Sequence, residues 1–235
     1  MILRLFEELQ KLDDVRFYPG ADPSALAHLE EQGLALPGDL TKLLTLSNGI
    51  EAYGGYFRIF GISTSEVTDS AVWNRPDTWK FAWETRSTDF WCFAETAWGD
   101  QYAFSRESLN GNGDPKVFFL QAYTMTQRIL ASSFAEFFEK EFVRNARLPY
   151  DEVTIHARQK LGEMETNSQL VFNPSPLLGG PEDINNLQRM PARAAMIIAG
   201  DIATQLDRAA DHQVLNGVQV YKDDLQRSRI RVIWG

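Results

Sequence analysis

The chain has 235 residues, of which 44% are hydrophobic and 23% are charged, so it can bury a sizeable core and disorder is disfavoured. A net charge of −9 argues against direct nucleic-acid binding, which usually needs a basic face, and a single cysteine excludes an intramolecular disulfide. No stretch approaches the roughly 20 apolar residues of a membrane span and the N-terminus lacks signal-peptide features, so we expect a cytoplasmic protein.

The first 49 residues have the spacing and the end signals of three helices. The predicted helices cover 2–12, 22–33 and 37–46, with Asp22-Pro23 and Pro37 as starts and Gly33 and Ser47-Asn48-Gly49 as stops. A short extended piece at 15–18 separates the first two helices.

The middle of the chain predicts strands at 56–60, 90–95, 100–104, 117–120 and 128–130, with turn residues between them. Ser63 or Thr64 is expected to cap a short helix that reaches Trp73. Ser132 or Ser133 is expected to cap a further helix, whose four phenylalanines would face the core.

The sequence from Leu148 onward predicts a smaller α+β extension. A helix at 151–164 and a strand at 170–172 precede the irregular stretch 173–181, which is rich in proline and glycine. An extended piece at 184–190, a helix from Pro191 to Leu206 and strands at 214–215, 218–221 and 230–234 complete the chain. We therefore predict domains at 1–147 and 148–235.

Four landmarks in order carry a resemblance to a known family. They are the Leu-rich helix ending in Ser47-Asn48-Gly49, the strand ending at Gly61, the Gly99-Asp100 turn into a strand, and the strand 117–120 followed by the Ser-Phe-capped helix. Over residues 3–142 this pattern resembles the SUKH superfamily, named after fungal cell-wall-synthesis regulators and their bacterial relatives.

The resemblance implies an α+β fold with a mixed, mainly antiparallel sheet flanked by helices, and no catalytic centre or transferable site motif. Many bacterial members are immunity proteins that bind and neutralise a toxin, often a nuclease, and fungal members are interaction hubs. We expect such an antitoxin here. The alternatives are a regulatory scaffold that binds cellular proteins or a small ligand in a sheet-side cleft, and an enzyme that uses Asp100 or Cys92.

The charge distribution bears on the kind of partner. Residues 1–149 hold 21 acidic and 14 basic side chains, whereas the rest is close to neutral. A basic toxin would therefore be attracted mainly to the first segment. The plainer interpretation is that an acidic surface serves solubility.

The residues that could carry chemistry are scattered. His28, His156 and His212 lack metal-ligand spacing, and Cys92 lies in an apolar run, so neither a metal nor a cofactor is expected. Glu95 and Asp100 form a possible carboxylate pair, although a turn-forming Asp100 and a solvated Glu95 fit better.

The segment 74–86 and its surroundings are aromatic, charged and irregular, as exposed interface loops often are. We predict that partner binding involves Trp73, Arg75, Trp79, Trp83, Glu84, Arg86 and Asp100. The alternative is that the tryptophans cover the core.

Overall fold

A computed structural model describes residues 1–31, 33–110, 113–210 and 213–235. Its first helices are α1 (Ile2–Leu9), α2 (Pro23–Glu31) and α3 (Gly38–Leu46), as the sequence predicts. Asp22 starts α2 by accepting a hydrogen bond from the Ser24 amide at 2.8 Å. Ser47 ends α3 with an extended backbone.

The central sheet has seven strands whose spatial order equals their chain order. They are β1 (Arg16–Phe17), β2 (Ile50–Ala52), β3 (Phe57–Ile59), β4 (Phe90–Thr96), β5 (Gln101–Ser105), β6 (Val117–Leu120) and β7 (Gln127–Ala131). Every ladder between them is antiparallel. The α+β class is confirmed, and the sheet is antiparallel throughout, with each strand beside the one that precedes it in the chain.

Short helical pieces connect and follow the strands. They are α4 (Ser70–Trp73), the 3-10 turns Lys80–Ala82 and Glu84–Arg86, α5 (Arg106–Leu109), α6 (Phe134–Phe137), a π-helical turn (Phe138–Phe142) and α7 (Val143–Arg147). The cap of α4 is Asp69, whose carboxylate accepts from the Val72 amide at 2.8 Å, so Ser63 and Thr64 were wrong candidates. Ser133 caps α6 as predicted.

The C-terminal segment contains α8 (Glu152–Leu161), β8 (Ser168–Phe172), β9 (Leu187–Pro191), α9 (Ala192–Leu206), β10 (Leu215–Lys222) and β11 (Ser228–Trp234). The strands form two separate antiparallel pairs, β8 with β9 and β10 with β11. The irregular stretch contains one 3-10 turn, Pro176–Leu178, and a second turn, Ile184–Asn186, replaces the start of the predicted extended piece.

The sheet is covered on both faces. Phe93 and Phe104 belong to the larger core cluster with α1, α3 and α6, whereas Cys92 and Ala103, their chain neighbours, belong to a second cluster. Alternate residues of a strand point to opposite faces, which explains the division.

Residues on both sides of Arg147 contribute to each cluster. Leu170 and Phe172 join the larger cluster, and Met196 and Ile197 join the second one. The two segments therefore share their cores, and the division into domains at 1–147 and 148–235 stays a prediction.

Candidate partner-binding site

The three tryptophans predicted as contact residues lie inside the protein. Trp79 and Trp83 are fully buried and Trp73 is 5% exposed. The Trp83 indole donates to the Met196 carbonyl of α9 at 2.9 Å, and the Trp73 indole donates to Gln101 at 2.8 Å. The expectation of exposed anchors is therefore wrong, because α9 packs over this segment and the tryptophans form the roof of the second core cluster.

The four polar residues of the prediction do not form one surface. Arg75 is exposed and pairs with Asp77, whereas Glu84 pairs with Arg208 beyond α9. Arg86 bridges to Asp207 and donates to the Thr124 carbonyl at 3.3 Å. Among the described residues, Arg86 is the one of the seven predicted residues that lines the large cleft between the sheet and α9, which is described below.

Asp100 holds a turn. Its carboxylate accepts hydrogen bonds from the Thr96 hydroxyl and from the Ala122 amide, each at 2.9 Å, and so ties the β4–β5 turn to the end of β6. Burial raises the pKa of Asp100, and these donors counteract the shift. The turn-forming interpretation of Asp100 fits this geometry.

The expectation of a solvated Glu95 is wrong, because Glu95 is fully buried in a polar row across the sheet. In register, Arg16 faces Glu51, Glu51 faces Arg58, Arg58 faces Glu95 and Glu95 faces Gln101. The Arg58 guanidinium lies 3.3 Å from the Glu95 carboxylate, and both side chains are fully buried. Charges of opposite sign therefore alternate from strand to strand.

The segment that precedes and begins β8 covers this row. Arg58 donates to the Ser168 carbonyl at 2.5 Å, Gln169 donates to Glu95 at 2.7 Å and Thr166 donates to Glu51 at 3.1 Å. Burial raises the pKa of Glu95, while Arg58 and the amides of Gln169 and Gln101 lower it. The polar row therefore binds the chain's own C-terminal segment, and Glu95 does not act with Asp100 as a carboxylate pair.

A cleft of about 960 Å³ lies between one end of the sheet and α9. Its apolar side chains come from β4, β6, the β6–β7 loop, the Pro176–Leu178 turn and α9: Phe90, Phe118, Tyr123, Met125, Leu177, Ala203 and Leu206. Phe90 and Phe118 meet edge to face with ring centroids 5.3 Å apart. The rings are held by core packing, so the floor of the cleft is preformed.

Charged side chains surround this floor. Asp89, Glu107 and Asp207 are acidic, and Arg86 and Arg106 are basic. Asp89 and Glu107 are exposed and belong to none of the ion pairs in the described residues, whereas Arg86 is engaged by Asp207. Burial raises the pKa of Tyr123 to about 12, so its hydroxyl stays protonated at neutral pH and can donate a hydrogen bond. The cleft therefore combines an apolar floor with two carboxylates, Asp89 and Glu107, and one guanidinium, Arg106, that belong to none of the ion pairs in the described residues.

The remaining chemistry-bearing residues lie apart from the cleft. Cys92 is buried and burial raises the pKa of its thiol to about 11, so it is not a thiolate at neutral pH. His28 and His156 are exposed on separate helices, and His212 lies outside the described residues. Across residues 1–31, 33–110, 113–210 and 213–235, no three His, Cys, Asp or Glu side chains are grouped to hold a metal. None of the helices described is long and apolar enough to cross a membrane.

The fold and the cleft define an α+β protein with a preformed apolar site and an acidic rim. A family model described as the SMI1 / KNR4 family (SUKH-1) matches residues 20–140, just over half of the chain, and the chain belongs to this family. The superfamily includes immunity proteins and fungal regulators, and its members are generally non-catalytic binding proteins.

The likeness to a solved structure extends through the C-terminal segment. The crystal structure of Atu4351 from Agrobacterium tumefaciens has the same fold with a TM-score of 0.57 and 12% sequence identity, and the match covers 96% of each chain. No curated protein matches this chain.

Proposed function

We propose that this chain is a non-enzymatic bacterial immunity protein, which binds a toxin in the cytoplasm one-to-one and blocks its activity. Membership of a family of binding proteins carries the proposal. The cleft beside α9 supports it, because a preformed apolar floor binds a partner side chain without the entropy cost of ordering a loop.

The charge of the first segment supports a basic partner. Residues 1–149 hold an excess of acidic side chains, and Asp89 and Glu107 add carboxylates at the rim of the cleft. Long-range attraction would speed the encounter with a cationic toxin, and the apolar floor would supply most of the binding free energy. Affinity would thus come from a fixed surface and not from a reaction.

The test uses the toxin-like polypeptide encoded beside the gene, produced in an inactive form. Light scattering after gel filtration should show a one-to-one complex, and calorimetry should give its affinity. Reversal of the rim charges in Asp89→Arg/Glu107→Arg should weaken binding at least about tenfold. The matched reversal Glu30→Arg/Glu31→Arg on α2, which packs on the other core cluster, should leave it unchanged. Failure of the neighbour to bind would refute the proposal.

The size of the cleft favours a second candidate function. A volume of about 960 Å³ falls in the range of roughly 300–1,000 Å³ that is typical of small-molecule sites. A regulatory scaffold would bind a metabolite there and pass the signal to cellular proteins. Thermal stabilisation of the purified chain by a metabolite fraction, lost in Tyr123→Ala and unaccompanied by toxin binding, would support this second function.

A further inference from the structure

The C-terminal hairpin packs on α9 through one of its two strands. In β11, Ile230 and Val232 are 9% and 4% exposed. Asp201 of α9 accepts from the Ile230 amide at 2.8 Å and from the Arg229 guanidinium, and Gln205 accepts from the Val232 amide at 2.9 Å. Strand β11 is therefore firmly attached to the helix.

Strand β10 extends beyond the helix. Val218 and Val220 are the cross-strand partners of Val232 and Ile230, so all four side chains share one face of the hairpin. The two valines are nevertheless 47% and 66% exposed. Among the described residues β10 pairs with β11 alone, so its other edge has free amide and carbonyl groups.

An apolar groove lies under this overhang. Two adjoining cavities of about 520 and 270 Å³ both include Ile198 of α9 and Ile230 of β11 in their walls. The first also contacts Val220, and the second contacts Val218 and Met190 of β9. The groove thus runs along α9 between β9 and β10, which are both edge strands of two-stranded sheets.

The rim of the groove is basic, in contrast to the protein as a whole. Of the residues that the structure describes, no Asp or Glu lines either cavity, whereas four cationic side chains do: Arg193, Lys222, Arg227 and Arg229. Asp223 and Asp201 neutralise the last two. Arg193 donates to the Thr78 carbonyl and Lys222 to the Ser228 hydroxyl, and neither belongs to an ion pair of the described residues. The Asp77 carboxylate lies near enough to Arg193 for the guanidinium to lower its pKa, so Arg193 is partly compensated and Lys222 is the more available positive charge beside the apolar floor.

We propose that this groove binds an acidic, apolar segment of a partner protein, which adds as an extended strand to the free edge of β10. Its apolar side chains on the groove-facing side would enter the groove over Ile198. Carboxylates on that same side, at the ends of the apolar run, would meet Arg193 and Lys222, because Lys222 shares the face of β10 that carries Val218 and Val220. A second copy of this chain fits less well, because a symmetric interface brings the same basic rims together. The proposal is independent of toxin binding, since none of Arg193, Val218, Val220 and Lys222 lines the cleft.

The probe is a short fluorescein-labelled peptide whose groove-facing residues are valines in the centre and glutamates at both ends, with serines on the opposite face. Its control has lysines in place of the glutamates. Fluorescence anisotropy with the full chain should show binding of the acidic peptide and not of the basic one. Charge reversal in Arg193→Glu/Lys222→Glu should weaken binding about tenfold or more. Lys11→Glu/Lys116→Glu, which reverses two exposed lysines that form none of the described ion pairs, should leave it unchanged.

Folding of each variant is checked by its circular dichroism and urea midpoint. Val220→Ser offers a second test, because its side chain is mostly exposed and its loss should weaken peptide binding without unfolding. No binding of the acidic peptide, equal binding of both peptides, or indifference to the reversal at Arg193 and Lys222 would overturn the proposal. A concentration-dependent dimer that Val220→Ser abolishes would also overturn it in favour of a self-interface.

Discussion

The buried ion pair between Arg58 and Glu95 gives the sharpest prediction on stability. Both side chains are fully buried, and Glu95 also accepts hydrogen bonds from Gln101 and Gln169. Replacing Glu95 by Gln keeps the shape and removes the ion-pair partner of Arg58, so that Glu51, its neighbour on β2, is the nearest carboxylate left in the polar row. Removal of one partner from a buried pair costs about 3–5 kcal/mol of unfolding free energy, because the remaining ion stays desolvated. We expect Glu95→Gln to fall in that range.

The companion variants separate the ion pair from general damage. Arg58→Met removes the guanidinium and keeps the apolar stem, and the double variant removes both charges of the pair. Its cost should be smaller than the sum of the two single costs by about 2–3 kcal/mol, since the charges are coupled. Asp77→Asn is the matched surface control. It breaks the exposed Arg75–Asp77 pair, in which both side chains are 62% exposed, and should leave the urea midpoint almost unchanged, because solvent screens an exposed pair.

Urea unfolding, followed by circular dichroism and tryptophan fluorescence, measures these free energies if both signals share one transition. A loss of unfolding free energy under about 1 kcal/mol for Glu95→Gln, together with additive losses in the double variant, would refute this prediction. Two ions that are desolvated and coupled should give a larger loss and a non-additive double variant. A small, additive loss would mean that water reaches the polar row and that residues 165–169 do not seal it.

Three further predictions concern packing, folding units and pH. Gly200→Ala in α9 should lower the free energy of unfolding by about 1–3 kcal/mol, as measured by thermal or urea unfolding. Although Ala has the better helix propensity, its Cβ would lie 2.9 Å from the Ala82 backbone. Unchanged stability would show that α9 does not pack closely against the Lys80–Ala82 turn. A fragment of residues 1–147 should lose its near-UV circular dichroism and bind a hydrophobic dye, because removal of the C-terminal segment exposes Trp83 and the polar row. Cooperative unfolding of this fragment, like that of the whole chain, would instead show that it is an independent domain. The Lys140 ammonium and donors from Ser132 lower the pKa of Glu136 from 4.5 to about 2, so its stabilising effect is present above pH 4.5 and is lost as the pH falls towards 2. Glu136→Gln should therefore unfold with a shallower pH dependence in that window, and an unchanged pH profile would contradict the Glu136 contacts.

Much of the fold follows from local patterns. The strand Val117–Leu120 has the predicted bounds, because an apolar run between turn residues contains all the information needed. The helix from Ala192 to Leu206 and the Ser133 cap follow from proline, serine and helical spacing. Strand β2 was missed, because its three residues directly after Gly49 are too few to show alternation.

The candidate site could not be predicted in the same way. Trp79 and Trp83 have the composition of an interface loop, and their burial depends on α9, which lies more than a hundred residues later. A glutamate such as Glu95 is expected to be solvated from sequence alone. Its burial becomes evident only from the tertiary contacts with Arg58 and Gln169. The cleft brings Phe118 together with Leu206, which are also far apart in the sequence. Of the residues predicted to bind a partner, Arg86 alone lines it. Such contacts depend on tertiary packing, which short-range patterns do not encode.

The central claim is tested most directly by titrating a fixed amount of the active neighbouring toxin with the purified chain and measuring the remaining toxin activity. We expect a linear loss that ends at one equivalent for the native chain and for Glu30→Arg/Glu31→Arg. With the toxin at a concentration near the dissociation constant of Asp89→Arg/Glu107→Arg, this variant should give a gradual curve that needs an excess of protein for full inhibition. Undiminished toxin activity at saturating protein would contradict the account, and equal inhibition by the native chain and the rim variant would contradict the assignment of the cleft.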